Sequence, residues 1–209
     1  MGTMLQAHDL TLEDFEGHEG CNEILNVTRP DVVRAVHDAY FEVGVDLVET
    51  NTFGANWANL AEYDITERIE ELAQAGARIA RESADHWSTP QQPRFVIGSV
   101  GPGTKLPTLG HAPYALLRDA YQRQVEGMLA GGVDAVLVET VQDVLQAKAA
   151  LVGARRAMDA VGSSAVLIAQ ITVETTGTML VGTETSAALV ALEPLGIDLI
   201  GMNCATGPA

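Results

Sequence analysis

The sequence predicts an α/β fold of parallel strands joined by helices, and three observations carry that prediction. First, apolar runs of strand length alternate with stretches of helical periodicity, an order that requires parallel strands with right-handed crossovers. Second, the phrase glycine, aliphatic, aspartate, strand recurs as Gly44-Val-Asp-Leu-Val-Glu-Thr50, Gly132-Val-Asp-Ala-Val-Leu-Val-Glu-Thr140 and Gly196-Ile-Asp-Leu-Ile-Gly-Met202. Glycine suits the left-handed residue that ends a helix, so each copy reads as helix stop, tight turn and strand start. Third, polar groups gather where the strands end: Glu49 to Asn51, Glu139 with Thr140, and Asn203 with Cys204. The apolar look of the strands suits either a barrel or a doubly wound sheet. About five strands are complete, where a closed parallel barrel has eight, and in such a barrel the active site lies at the C-terminal strand ends.

Each element has its own signal. Met1 to Asn26 is polar with little periodicity, and its acidic, glycine-bearing part from Asp9 to Gly20 reads as a long loop. Thr28-Arg-Pro-Asp31 opens a helix, with threonine as cap, proline in the first turn and an acid near the positive dipole end. Val32, Val33, Val36, Ala39, Tyr40 and Val43 supply its expected buried face, and Val45 to Phe53 the first strand. A helix follows from about Asp64 to Trp87, then a strand from Phe95 to Val100 ending in the loop Gly101-Pro-Gly-Thr-Lys-Leu-Pro107. The next helix, Pro113 to Ala130, turns Leu116, Leu117, Tyr121, Val125 and Met128 inward by its spacing. Strand Val133 to Thr140, helix Asp143 to Val161, strand Ala165 to Val173 and a short helix from about Ser186 to Leu195 continue the alternation. The last strand, Ile197 to Met202, is bounded by Gly196 and by Gly207-Pro208 and reads as covered on both faces.

Composition narrows the function. The 209 residues are 47% hydrophobic, enough for one α/β unit with a full core. A formal net charge of -16 argues against nucleic acid or an anionic membrane surface as partner, because both need clustered lysine and arginine. No apolar run approaches the roughly 20 residues of a membrane-spanning helix, and the N-terminus lacks the basic and apolar regions of a signal peptide. The cytoplasm is the expected location. Cys21 and Cys204, far apart in the chain, make no disulfide framework and are expected as thiols.

Several short motifs have ordinary readings. Gly98-Ser-Val-Gly-Pro-Gly103 follows a strand but is not a dinucleotide fingerprint, and Pro102 removes an amide that a phosphate could use, so a rigid site loop is expected. His8, His18 and Cys21 lack zinc-site spacing. Asn26-Val-Thr28 matches a glycosylation sequon yet reads as a helix cap. Met1-Gly2 is not a myristoylation start, since Gln6 stands where serine or threonine is required. Glu49 and Glu139 each follow an aliphatic run, where a buried carboxylate needs a cation. A substrate ammonium or an internal arginine or lysine would serve. Cys204 alone is either a reactive thiol or a small buried hydrophobe.

The wording of several segments adds a resemblance. Gly2-Thr-Met-Leu-Gln6, Gly20-Cys-Asn-Glu-Ile-Leu-Asn26, Glu49-Thr-Asn-Thr-Phe-Gly-Ala-Asn56, Gly98-Ser-Val-Gly-Pro-Gly103, Thr175-Thr-Gly-Thr-Met179 and Gly201-Met-Asn-Cys-Ala-Thr-Gly-Pro208 together resemble the homocysteine-binding domain of cobalamin-dependent methionine synthases, across essentially residues 1–209. The resemblance implies a (β/α)8 TIM barrel in which three cysteine thiolates hold zinc at the C-terminal mouth and zinc binds the sulfur of homocysteine. It implies methylcobalamin, carried by another module and charged ultimately from 5-methyltetrahydrofolate, as methyl donor, with methionine as product. By it, Cys204 corresponds to a zinc ligand and Glu139 to the glutamate that binds the substrate ammonium, with Asn51, Ser99 and Asn203 as further substrate-binding positions.

The departures from the family pattern shape the expectation. The Asp-Gly-Ala that the pattern places before Met-Gly-Thr, the final two strands and the paired cysteines of Gly-Gly-Cys-Cys-Gly do not occur in this sequence. The expected object is an incomplete barrel of about five parallel strands with one of three thiolates. Its partners by the resemblance are homocysteine and the cobalamin, folate and activation modules of a larger protein. The alternatives are part of a betaine- or S-methylmethionine-dependent homocysteine methyltransferase, or a non-catalytic piece that binds no metal.

Overall fold

The computed structural model describes residues 1–205 and shows five parallel strands in the order β1-β2-β3-β4-β5. A short helix α1 (Gly2–Leu5) and the turn α2 (Leu25–Thr28) precede α3 (Pro30–Glu42), β1 (Leu47–Glu49) and the turn α4 (Trp57–Leu60). Then follow α5 (Ile69–Trp87), β2 (Phe95–Val100), α6 (Tyr114–Ala130), β3 (Ala135–Val141), α7 (Val144–Val161), β4 (Val166–Ile171), α8 (Thr185–Leu192) and β5 (Leu199–Met202). Each strand pairs with its predecessor in the chain. A doubly wound sheet reverses its strand order at a switch point, so the sequential order decides for part of a barrel.

The repeated phrase has a double role. Gly44, Gly132 and Gly196 take positive φ of 96°, 92° and 74°, the helix stop that the sequence predicts. In the second and third copies the aspartate two residues on then fastens the new strand to the preceding one. Asp134 Oδ2 accepts from the Val96 amide at 2.8 Å, and Asp198 Oδ2 from the Leu167 amide at 2.8 Å. These carboxylates satisfy backbone donors at the strand starts, where the ladder has not begun.

The two faces of the sheet differ. Val48, Val96, Val136, Val138, Leu167 and Ala169 join α5, α6 and α7 in one core, with Leu72, Met128, Leu151 and Met158 buried between. A second cluster ties Leu5 and Leu25 to Val32, Val33 and Val36 of α3 and Ile79 of α5. Leu5 thus anchors the opening segment, while Asp9 to Gly20 holds no helix or strand and is the long loop that the sequence predicts. The other face is the concave lumen, where Leu47, Phe95 and Leu199 are exposed.

The exposed lumen and the two open edges explain where sequence reading fails. Ala39 and Tyr40 of α3 and Val43 just after it are exposed, Tyr40 along a cavity beside β1, and the buried face uses His37 and Phe41 with the valines. Leu116 of α6 is exposed, while Leu117, Tyr121, Val125 and Met128 are buried as expected. β1 is shorter than Val45 to Phe53, since only Leu47 to Glu49 run beside β2. β5 is an edge strand with Leu199 and Met202 mostly exposed, not a strand covered on both faces. Periodicity identifies an apolar face but not whether something covers it. Gly207 and Pro208 lie outside the described residues.

Candidate functional site

The site forms at the C-terminal ends of β2, β3 and β5. β3 reaches it through a bulge: Val138 pairs with Ala169 but Val141 with Ile171, so β3 spends one more residue than β4 over this stretch. Val136, Val138 and Val141 all pack into the helix-facing core, which places Glu139 on the lumen side. Thr140 absorbs the irregularity with φ 59°, in the left-handed region. Bulges beside functional sites re-aim side chains in this manner.

Glu139 is 8% exposed and held through both oxygens. The buried Ser99 hydroxyl donates to Oε1 at 2.6 Å, and Asn203 Nδ2 donates to Oε2 at 3.1 Å. Ser99 is in turn oriented by its amide donating to Thr50 Oγ1 at 3.0 Å, and its carbonyl accepts from Thr52 Oγ1 at 2.8 Å. No lysine or arginine pairs with Glu139 or Glu49 among the described residues; ion pairs such as Arg81 to Asp134 lie at the opposite ends of the strands or on the surface. The internal salt bridge open to these carboxylates from sequence is not formed.

A cavity of about 670 Å3 opens along the lumen side of β1 and is lined by Glu23, Glu49, Thr50, Asn51, Ser99 and Glu139, among others. Burial raises the Glu49 carboxyl above its ordinary range, and the nearby Glu139 charge raises it further. Burial likewise raises Glu23, whose Oε1 accepts from the Gly54 amide at 2.7 Å. Three carboxyl groups line this cavity with no lysine or arginine paired to Glu49 or Glu139 among the described residues, a setting that suits an entering cationic group. Asn51 borders the cavity, yet its amide donates to the Asn22 carbonyl at 2.8 Å and Asn26 Oδ1 at 2.9 Å, which fastens the loop before α2 to the end of β1.

The Gly101 to Pro107 loop is held from behind. Tyr121 and Gln146 donate to the Pro102 carbonyl, and Asp143 accepts from the Thr108 amide and hydroxyl at 2.9 and 2.7 Å. A Cβ at Gly101 would stand 2.6 Å from the Phe53 carbonyl oxygen, so this close approach requires glycine.

Cys204 follows β5, exposed, with φ 59°. Its sulfur lies 4.0 Å from Thr140 Oγ1, so thiol and carboxylate share one mouth. Cys21 is 2% exposed, and burial followed by the Glu23 charge pushes its thiol up to about 12, the setting of an inert core cysteine. Among the described residues no three His, Cys, Asp or Glu side chains gather as metal ligands. Cys204 supplies one thiolate where a tetrahedral zinc site takes three or four protein ligands, so the side chains of this chain do not by themselves fit a zinc centre. Sequence reasoning placed Thr140 with Glu139 but not its left-handed backbone, and it missed Glu23, whose importance comes from burial.

Comparison with known proteins follows the same line. A model of the homocysteine S-methyltransferase family matches residues 1–209. The chain belongs to the homocysteine S-methyltransferase family. It is 63% identical over 209 residues to a methionine synthase of Mycobacterium tuberculosis, and 62% identical to that of Mycobacterium leprae. The whole chain aligns in both cases but spans only 18% and 17% of those relatives' lengths. Its fold matches the metallated form of the homocysteine methyltransferase MmuM from Escherichia coli with a TM-score of 0.73, at 21% identity, over 98% of this chain and 72% of that one. The family membership agrees with five parallel strands of an incomplete barrel. No helix among the described residues is long and apolar enough to cross a membrane.

Proposed function

We propose that this chain is the homocysteine-binding part of a methionine synthase, which methylates the sulfur of homocysteine to give methionine. The observation that carries this reading is the joint placement of Glu139 and Cys204 at one mouth, in a chain 62–63% identical throughout to two methionine synthases. Glu139, held by Ser99 and Asn203, receives the substrate ammonium, with Glu49 lining the same cavity. The amino acid then spans from this carboxylate toward Cys204, sulfur outermost. In this reading Cys204 contributes one thiolate to zinc together with thiolates from elsewhere in the whole protein. Methylcobalamin on a separate module, recharged from 5-methyltetrahydrofolate, supplies the methyl group. Asn51 borders the substrate cavity and supports its wall.

The test uses the full-length protein that contains this sequence, assayed for homocysteine-dependent consumption of methylcobalamin, betaine and S-methylmethionine in parallel. Turnover with methylcobalamin alone is the expected result. Turnover with betaine or S-methylmethionine instead would transfer the assignment to that branch of the family, and no homocysteine methylation with any donor would overturn it.

A further inference from the structure

We propose that Thr140 is a positioning residue, whose left-handed backbone and two-point clasp with Asn203 set the spacing between the Glu139 carboxyl group and the Cys204 thiol. The inference rests on the homocysteine reading, because it assigns those groups to the two ends of one substrate. Thr140 has φ 59°, a region where a β-branched side chain crowds its own backbone and which glycine or asparagine usually occupies. Such a conformation persists only where surrounding contacts enforce it. Here they come from Asn203. The Thr140 amide donates to Asn203 Oδ1 at 3.1 Å, and Asn203 Nδ2 donates back to Thr140 Oγ1 at 3.0 Å. The remaining hydrogen of that NH2 serves Glu139 Oε2 at 3.1 Å. Both N–H donors and the oxygen of one side-chain amide thus engage two consecutive residues of β3.

The clasp matters because β3 and β5 are not neighbours in the sheet. β4 lies between them, and Asn203 itself is fixed to that strand by its amide donating to the Ile171 carbonyl at 3.2 Å and its carbonyl accepting from Thr172 Oγ1 at 3.2 Å. The ladder alone would relate the Glu139 and Cys204 strand ends through two successive pairings and a bulge. Asn203 to Thr140 is a direct tie across that gap, placed between the two groups a substrate would bridge. Glycine at 140 would relieve the backbone but leave the Asn203 amide without its hydroxyl acceptor.

The consequence is a length rule. A rigid separation between ammonium anchor and sulfur position favours homocysteine over cysteine, which is one methylene shorter. In the full-length protein, Thr140→Ser should keep the homocysteine KM within about twofold of wild type, since it retains Oγ. Thr140→Val and Thr140→Gly should raise that KM by about tenfold, the scale of one buried hydrogen bond. Both should also narrow the preference for homocysteine over cysteine at least severalfold, with the KM for the methyl donor unchanged. Thr140→Gly should melt no lower than wild type, which separates positioning from stability. Wild-type KM and wild-type discrimination in both Thr140→Val and Thr140→Gly would overturn the proposal, as would an equal loss in Thr140→Ser. Wild-type protein that methylates no homocysteine would instead overturn the reading beneath it.

Discussion

The Ser99 hydroxyl meets Glu139 Oε1 at 2.6 Å, a short bond between two buried side chains on neighbouring strands. Hydrogen bonds to a charged acceptor contribute about 1.5–3 kcal/mol where water is excluded. Ser99→Ala should therefore let the carboxylate swing and weaken homocysteine binding by about tenfold or more, measured by calorimetric titration of the full-length protein. Glu139→Gln should cost more, because it removes the charge itself. Unchanged affinity in both variants would remove Glu139 from the substrate site.

Much of this arrangement is legible in the sequence, for physical reasons. The phrase around Gly44, Gly132 and Gly196 shows the parallel alternation because glycine ends each helix, and Asp134 and Asp198 tie the new strand to the preceding one. A carboxylate after four aliphatics, as at Glu139, marks the C-terminal part of a buried strand. What stays hidden depends on contacts distant in sequence. Nothing local marks the bulge that turns Thr140 to positive φ, and nothing tells that Asn51 turns toward Asn26 while Asn203 turns toward Glu139. Tyr40 and Val43 look like core residues by spacing, yet they are exposed.

The open edges carry their own expectation. Val43, Val190, Leu199 and Met202 are 79%, 71%, 58% and 64% exposed, beside strands β1 and β5 that each lack one neighbour among the described residues. Unpaired edges flanked by apolar surface invite association. The isolated 209-residue chain should oligomerise or aggregate at micromolar concentration in light scattering, and Leu199→Lys with Met202→Lys should reduce it. A monomer with a sharp cooperative melt would contradict this.

Two buried groups give stability opposite pH dependence. Burial lowers His37 to about 4, against the partial opposition of Asp38. Between about pH 6.5 and 4 the unfolded chain binds a proton that folded His37 refuses, so stability falls as pH falls, by up to about 3 kcal/mol. Glu23 is raised by burial, so the folded chain keeps a proton that the unfolded chain loses above its ordinary range, and stability falls as pH rises through that window. His37→Leu should flatten the fall in urea-denaturation midpoints toward acid, and Glu23→Gln the fall above the ordinary carboxylate range. Parallel profiles for wild type and both variants would refute these assignments.

The two cysteines should behave as chemically distinct. Cys204 is exposed, whereas Cys21 is 2% exposed with its thiol pushed up to about 12, so a thiol reagent should modify one cysteine in native protein and both in denaturant. The same contrast governs metal. Structural zinc sites draw about 10–16 kcal/mol of binding from several ligands acting together, and one thiolate falls far short of that. The isolated chain should therefore lose zinc on dialysis. In the full-length protein, Cys204→Ser should abolish zinc retention and methyl transfer together, while Cys21→Ser should leave both nearly intact because its sulfur is buried in the core and donates to Glu23 Oε2 at 3.8 Å, away from the mouth that holds Cys204. Glu139→Gln should retain zinc and weaken homocysteine binding, separating the anchor for the ammonium from the anchor for the sulfur. Full zinc content and activity in Cys204→Ser would show that the thiol at the end of β5 is not part of the centre.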